Sequence, residues 1–289
     1  MSRPRGFIHN WKPKPATQLL IKQVGNIIDE NSDILPLTLR QVFYMLVSNY
    51  DYAKTEKDYK RLCEVMNRAR RARMIPMDTI RDDGLTREVP HFWDNEQQLV
   101  NTFKSSANSF KLDRQEDQDQ RLLVWCEAGG MVPQLASACR DYSITVLSSG
   151  GFDSVTTKHN LALELSNYDS VEILHIGDHD PSGVHMCKSL DEDLQAFIHE
   201  YGGEVNVTRL AVTPDQVESM GLPTAPPKPT DKRSFDGLTT QAEAIPPRDL
   251  RSLVQEAISD RIDEYIYQKV LSRELEIRDS LSVRLDGIV

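Results

Sequence analysis

No stretch of this chain approaches eighteen consecutive apolar residues, and its first residues lack the apolar core of a secretory signal. Membrane insertion and export are therefore not expected, and the chain reads as a soluble cytoplasmic protein. Cysteine is scarce. Cys63, Cys126, Cys139 and Cys187 stand far apart with no C-x-x-C pair, which argues against a zinc site or a disulfide scaffold and fits a reducing compartment. No internal repeat is visible. What remains is a chain of 289 residues, 39% hydrophobic and 27% charged, long enough for two packed domains or one large one.

The net charge of −10 hides an uneven distribution. Residues 1–81 carry 15 Lys and Arg against 8 Asp and Glu, a balance of +7, and the remainder carries −17. A basic N-terminal third on an acidic body suggests a separate module facing a polyanion, although a solvated charged face has the same composition.

Residues 1–16 are basic and contain several prolines, which predicts a flexible arm. Leu19, Leu20, Val24, Ile27 and Ile28 share one face of a first helix over 17–31. After Pro36, Thr38-Leu39-Arg40-Gln41 matches a capping box that opens a second helix. Its core stripe is Leu39, Val42, Phe43, Leu46 and Val47, with Tyr44 about 100° around from Phe43, at the stripe's edge. A third helix, about 57–73, turns Tyr59, Leu62, Val65, Met66 and Ala69 inward. Its other faces carry Lys57, Lys60, Arg61, Arg68, Arg70, Arg71 and Arg73. Three short helices with a basic third resemble a helix-turn-helix or winged-helix module, a candidate DNA-binding unit over 1–112. Clustered arginines mainly contact phosphate, so this speaks for binding rather than sequence choice. Residues 82–118 are polar and read as the wing plus a linker.

From residue 118 to 289 helices and strands alternate. Strands are predicted over 122–125, 144–147, 171–176 and 205–210, with helices over 132–139, 156–165 and 184–201 between them. This βαβαβαβ order calls for a parallel sheet with helices packed on it, an α/β fold. The third strand ends abruptly in Gly177-Asp178-His179-Asp180-Pro181-Ser182-Gly183. In a parallel sheet every strand's carboxyl end lies on one edge, where such sheets place their ligands. Glu127, after the first strand, and Asp178 and Asp180, after the third, therefore share a rim. Three carboxylates there repel one another unless a cation joins them, and hard oxygen ligands suit Mg²⁺. A D-x-D by itself also suits a turn capping the next helix. Beyond a Pro-rich stretch (Pro223, Pro226, Pro227, Pro229), apolar residues from Leu250 to Leu271 predict a long helical region that packs on the sheet or forms a dimer face.

Glu127 followed by Asp178-His179-Asp180-Pro181-Ser182-Gly183 resembles the Toprim domain of topoisomerases, primases and related nucleases. More specifically, the chain resembles the A subunit of topoisomerase VI and its relative, the meiotic double-strand-break transesterase, in which a winged helix carrying a catalytic tyrosine precedes the Toprim domain. Arg40-Gln41-Val42-Phe43-Tyr44 is similar to the tyrosine helix of that family. The stretch from Ser149 to Lys158 resembles a loop between its Toprim strands. The whole chain also resembles short bacterial and phage proteins of this architecture. The matches span about residues 38–210. There are departures: Ala128 replaces a frequent Lys after the strand-end Glu, Gln41 replaces an acidic residue, the chain is shorter than a full A subunit, and it encodes no ATPase subunit. They bear on strand passage more than on cleavage.

The resemblance implies a type IIB topoisomerase-like activity. The Tyr44 hydroxyl would attack a DNA phosphodiester, leaving a phosphotyrosyl link and a free 3′-hydroxyl. Glu127, Asp178 and Asp180 would hold Mg²⁺, or Mn²⁺, against the scissile phosphate. Arg40, one turn before Tyr44, would lower the tyrosine's pKa or clamp the phosphate. Lys60, Arg61, Arg68, Arg70, Arg71, Arg73 and Lys158 would contact double-stranded DNA. In the related enzymes the tyrosine of one protomer meets the metal of the other, which implies a homodimer, nucleoid-associated, with a GHKL-type ATPase B subunit as partner in trans. Two alternatives stay open: a Toprim nuclease that hydrolyses DNA with water while Tyr44 is structural, and a non-catalytic DNA-binding protein of a phage or mobile element.

Overall fold

The computed structural model describes residues 7–81, 92–148, 155–228, 233 and 235–286. The chain opens on helix α1 (Pro15–Glu30), started by Pro15, whose lost N–H is one the first turn does not need. Its buried face is Leu20, Ile21, Val24, Ile27 and Ile28, while Leu19, expected inside, is 57% exposed. The expected arm is tied down where it is described. The Ile8 amide donates to the Arg71 carbonyl, and Trp11 packs against the N-terminal core. Residues 1–6 lie outside the described residues.

Helix α2 (Leu39–Tyr50) starts at the predicted capping box, with Thr38 Oγ1 accepting from the Gln41 amide and Gln41 Oε1 accepting from the Thr38 amide. Helix α3 (Glu56–Arg71) buries Leu62, Val65, Met66 and Ala69, leaving Tyr59 half-buried. These three helices share one apolar core. Beside it the two-residue strands β1 (Leu37–Thr38) and β2 (Ile80–Arg81) pair in parallel. The segment where a wing was expected, 82–91, is outside the described residues. The stretch read as linker contains a helix, α4 (Glu96–Asn108), capped by the Asn95 side chain. Leu99, Val100, Phe103 and Ala107 recur at helical spacing in an otherwise polar stretch, but only Ala107 is buried and Phe103 is exposed.

The larger sheet has the order β4-β3-β5-β6, all parallel, with β3 (Arg121–Cys126), β4 (Thr145–Ser148), β5 (Ser170–Ile176) and β6 (Glu204–Ala211). Side-chain alternation gives it two apolar faces. Leu122, Val124, Cys126, Leu174 and Ile176 pack towards α5 (Val132–Cys139) and α9 (Pro247–Ser259). Leu123, Trp125, Val171 and Ile173 face α6 (Val155–Leu165) and α7 (Pro181–Glu200). Both faces are covered, which is why β3 and β5 read as continuous apolar runs. A short helix, α8 (Pro214–Ser219), follows β6. The predicted long C-terminal helical region is two helices, α9 and α10 (Glu264–Asp286), broken at 260–263, and α10 packs on α4.

The N-terminal helices are joined to the sheet through side chains of both parts. Gln41 Nε2 donates to Gln134 Oε1 at 2.6 Å, and Gln134 Nε2 donates to the Ile34 carbonyl at 3.3 Å. Ala244, just before α9, is buried within the N-terminal core itself. The protein is thus an α/β molecule whose first part rests on the carboxyl edge of its sheet.

Candidate functional site

Strand β3 lies between β4, which follows it, and β5, which comes later, so successive connections run to opposite sides of β3. Crevices in open α/β sheets form at such a reversal. Glu127 leaves β3 there, with its amide donating to the Ile176 carbonyl at 2.9 Å. Asp178 and Asp180 leave the neighbouring β5. The three carboxylates expected on one rim are brought together on adjacent strands.

Each commits one oxygen to the backbone. Glu127 Oε2 accepts from the Asp178 amide at 3.1 Å, Asp178 Oδ1 from Ala242 at 2.8 Å, and Asp180 Oδ1 from Gly183 at 2.7 Å, capping α7. Among the described residues the second oxygen of each has no hydrogen-bond partner. Close packing accounts for two glycines. A Cβ on Gly177 would come within 2.9 Å of Glu127 Oε2, and one on Gly183 within 2.3 Å of the Asp178 carbonyl oxygen.

Burial and mutual repulsion shape the charges. Burial pushes the Glu127 carboxyl up to about 7, Asp178 adds to the rise, and Arg209 opposes it. Asp178 is raised by burial against the lowering effect of the Ala242 amide. Arg209, on β6, is the backbone clasp of this loop. It donates to the carbonyls of Gly177, Asp178 and Gly183, with Nε on Val212 at 3.1 Å. Beside it the buried His175 ring is held neutral, pushed down to about 3 by burial and then by the Arg209 charge.

Tyr44 and Arg40 stand at the same place. The Tyr44 ring, predicted at the edge of its helix stripe, is buried because the segment before α9 covers it. Its hydroxyl donates to Gln241 Oε1, and Arg40 Nη1 donates to the same oxygen at 3.0 Å. Gln241 directly precedes Ala242, whose amide holds Asp178, so one short segment touches both the tyrosine and the carboxylates. Burial holds the Tyr44 hydroxyl well above the ordinary phenol value. Arg40 pulls it down, but Glu243 and Asp178 push it further up. The net direction is upward.

Four residues absent from the sequence reading complete the site. Gln241 and Arg209 have been described. Glu243 supplies a fourth carboxyl, raised by burial and by Asp178 and pulled back by Arg40. Lys54 places its ammonium 5.5 Å from the centroid of the Tyr44 ring and donates to the Pro223 carbonyl at 2.8 Å, with burial lowering its pKa. None has a local signal: Gln241 and Glu243 lie at and in a single 3-10 turn too short for periodicity, Lys54 lies between helices, and Arg209 sits in a strand chosen for its apolar neighbours.

The basic residues divide. Lys60, Arg61, Arg68 and Arg73 are exposed on and just after α3, although Lys60 pairs with Glu56 at 2.7 Å. Arg70 and Arg71 are half-buried. Arg70 donates to the Met77 carbonyl at 2.9 Å and Arg71 to Asn67 at 3.0 Å. Lys158 does not stand with them. It is buried between α6 and α7, with Nζ 2.6 Å from Asp193 Oδ2 and 3.2 Å from Ser189 Oγ. A cation held there cannot meet DNA without abandoning its carboxylate. The rest of the loop compared with the Toprim loop, 149–154, lies outside the described residues.

Arg40, Tyr44, Lys54, Lys60, Asp180 and Lys228 are among the residues lining a cleft of about 650 Å³ between the N-terminal helices and the sheet edge. Among the described residues no three His, Cys, Asp or Glu side chains converge into a ready metal cage. The carboxylates form a rim, open towards this cleft at Asp180. Comparison with protein-family models, curated proteins and solved structures found no match.

Proposed function

We propose that this protein is a Mg²⁺-dependent DNA-cleaving enzyme of the topoisomerase VI A type, with an N-terminal winged helix, a Toprim domain and Tyr44 as nucleophile. The observation that carries the reading is the meeting of Tyr44 and Arg40 with Asp178 across one segment, 241–242, although residues 44 and 241 are 197 positions apart. A tyrosine, an arginine and three strand-end carboxylates at one crevice make up the parts of a phosphodiester transesterification.

The donor set suits a hard divalent cation. Glu127, Asp178 and Asp180 each offer one carboxylate oxygen, and Mg²⁺ is commonly held by one or two carboxylates together with phosphate oxygens. Such an ion, or Mn²⁺, supplies charge neutralisation at the phosphate. The chain's own residues do the rest. Arg40 is placed to turn from Gln241 to a phosphate oxygen. Tyr44 Oη forms the bond to phosphorus while the bond to the 3′ oxygen breaks, and the phenolic proton is matched by one taken up at the 3′ oxygen. The raised hydroxyl of Tyr44 is the resting condition, and an incoming phosphate displaces it from Gln241. Tyr44 lies in range of Asp178 within one chain, so a second copy is not needed to complete the site. A break in both strands still needs two tyrosines, and hence a homodimer. A GHKL-type ATPase in trans would be required only for strand passage.

One observation favours the second reading, hydrolysis by water. The Tyr44 hydroxyl is engaged and held protonated, whereas among the described residues the carboxylate rim has unpaired oxygens. Supercoiled plasmid incubated with Mg²⁺ or Mn²⁺ and stopped in SDS, with and without proteinase K, separates the two. Breaks that carry protein and vanish in both Tyr44→Phe and Asp178→Ala support the transesterase. Protein-free breaks lost only in Asp178→Ala make the enzyme a nuclease. Retardation of DNA without any cleavage leaves a binding protein.

A further inference from the structure

Tyr44 lines the cleft beside it, and among the described residues the cleft is small. A volume of about 650 Å³ corresponds to a cube about 9 Å on an edge, whereas the major groove of a DNA duplex alone is about 12 Å wide. Widening it means parting the N-terminal helices from the sheet. That would pull Ala244 out of a buried core and break the Gln41–Gln134 bond and the Tyr44–Gln241 contact.

The lining has the character of a strand-binding groove. Arg40, Lys54, Lys60 and Lys228 are its cations, against the carboxylates Glu56 and Asp180, and the half-buried ring of Tyr59 lies in the wall. A positively charged groove with aromatic rings is how proteins track a single nucleic-acid strand without reading its sequence. Lys54 is the central cation. It uses one of its three donors on Pro223 and sits over the Tyr44 ring. Lys228 is exposed at the mouth. The arginines Arg61, Arg68 and Arg73 are exposed on α3 and the turn after it and do not line the cleft.

We infer that the cleft receives one single-stranded segment of DNA, with Lys54 and Lys228 contacting successive phosphates, so that a duplex reaches Tyr44 only where it is locally opened. This rests on the reading of Tyr44 as the reacting group, yet it concerns binding alone.

The test is fluorescence anisotropy in EDTA with a labelled 12-nucleotide single strand and with the same strand in a duplex. Wild type is compared with Lys54→Glu, Lys228→Glu and the outer-face variant Arg68→Glu. Both cleft variants are expected to weaken single-strand binding at least threefold more than duplex binding, with Arg68→Glu showing the reverse preference. The double variant Lys54→Ala/Lys228→Ala is expected to lower the salt slope for the single strand by about 1.4, since each phosphate contact contributes about 0.7. Lys228 is exposed and makes no hydrogen bond or ion pair among the described residues, so its variant guards against misfolding of the Lys54 one. A smaller difference between strand and duplex in the Lys228→Glu protein overturns the inference. The assay reads no cleavage. It can fail while covalent adducts form, and it can succeed while none do.

Discussion

Glu127 is a carboxyl that the fold keeps partly protonated near neutral pH. Its folded value of about 7 lies above the ordinary 4.5. A group raised in this way contributes stability that is full below about pH 4.5 and is lost as pH rises through about 7. After allowance for solvent screening the loss is about 1–2 kcal/mol. Urea denaturation in EDTA at pH 4.5 and pH 7.5 should therefore show Glu127→Gln losing less stability than wild type over this interval. An unchanged pH slope in the variant would mean that the repulsion is relieved elsewhere. The three carboxylates were legible in sequence because two apolar runs of a parallel sheet end in Glu127 and in Gly-Asp-x-Asp, and such strands end on one edge. Gln241, Glu243 and Lys54 were not, because only tertiary packing brings them to Tyr44. The same packing buries a tyrosine that helical periodicity left at the edge of a stripe.

At the scale of elements, helix α10 is fixed by one carboxylate. Glu274, 1% exposed, accepts from Arg114 Nη2 at 2.8 Å, from Arg114 Nε and the Leu112 amide at 3.1 Å, and from Arg278. Removing one partner from such a buried cluster costs about 3–5 kcal/mol, because the remaining charges lose their counterion. Glu274→Ala should lower stability by that amount in urea denaturation, and the double variant Arg114→Met/Glu274→Leu should recover much of it. A loss under 1 kcal/mol in the single variant would show that the cluster is solvated. The strands and crossover helices could be read from apolar runs and their punctuation. Helix α4 is harder to read, since its four apolar residues at helical spacing sit in a polar stretch and only Ala107 is buried where it leans on α10. Lys158 shows the same limit for charge: a lysine in the first turn of a predicted helix looks exposed until that helix is packed beside Asp193.

For the whole molecule, the basic first third against the acidic remainder marked two parts, and the structure has a helical unit resting on a parallel sheet. What the charge pattern did not reveal is that the parts are sewn together by residues from the far end of the chain. Ala244 belongs to the N-terminal core, at 5% exposure. Ala244→Asp places an unpaired carboxylate there, at a cost of several kcal/mol. The expected result is a thermal unfolding curve that separates into two transitions, with the N-terminal helices melting first. A single transition at nearly the wild-type temperature would show that the joint tolerates charge.

That joint also sets an order in time. The helix bearing Arg40 and Tyr44 leaves the ribosome long before Gln241, and at about 5–20 residues per second the interval is about 10–40 s. Until residues 241–244 arrive, the tyrosine has neither its acceptor nor its cover, and Asp178 lacks the Ala242 amide. The crevice is therefore closed by a segment made long after its tyrosine, and a nascent or truncated protein that stops short of it carries the pieces without the site.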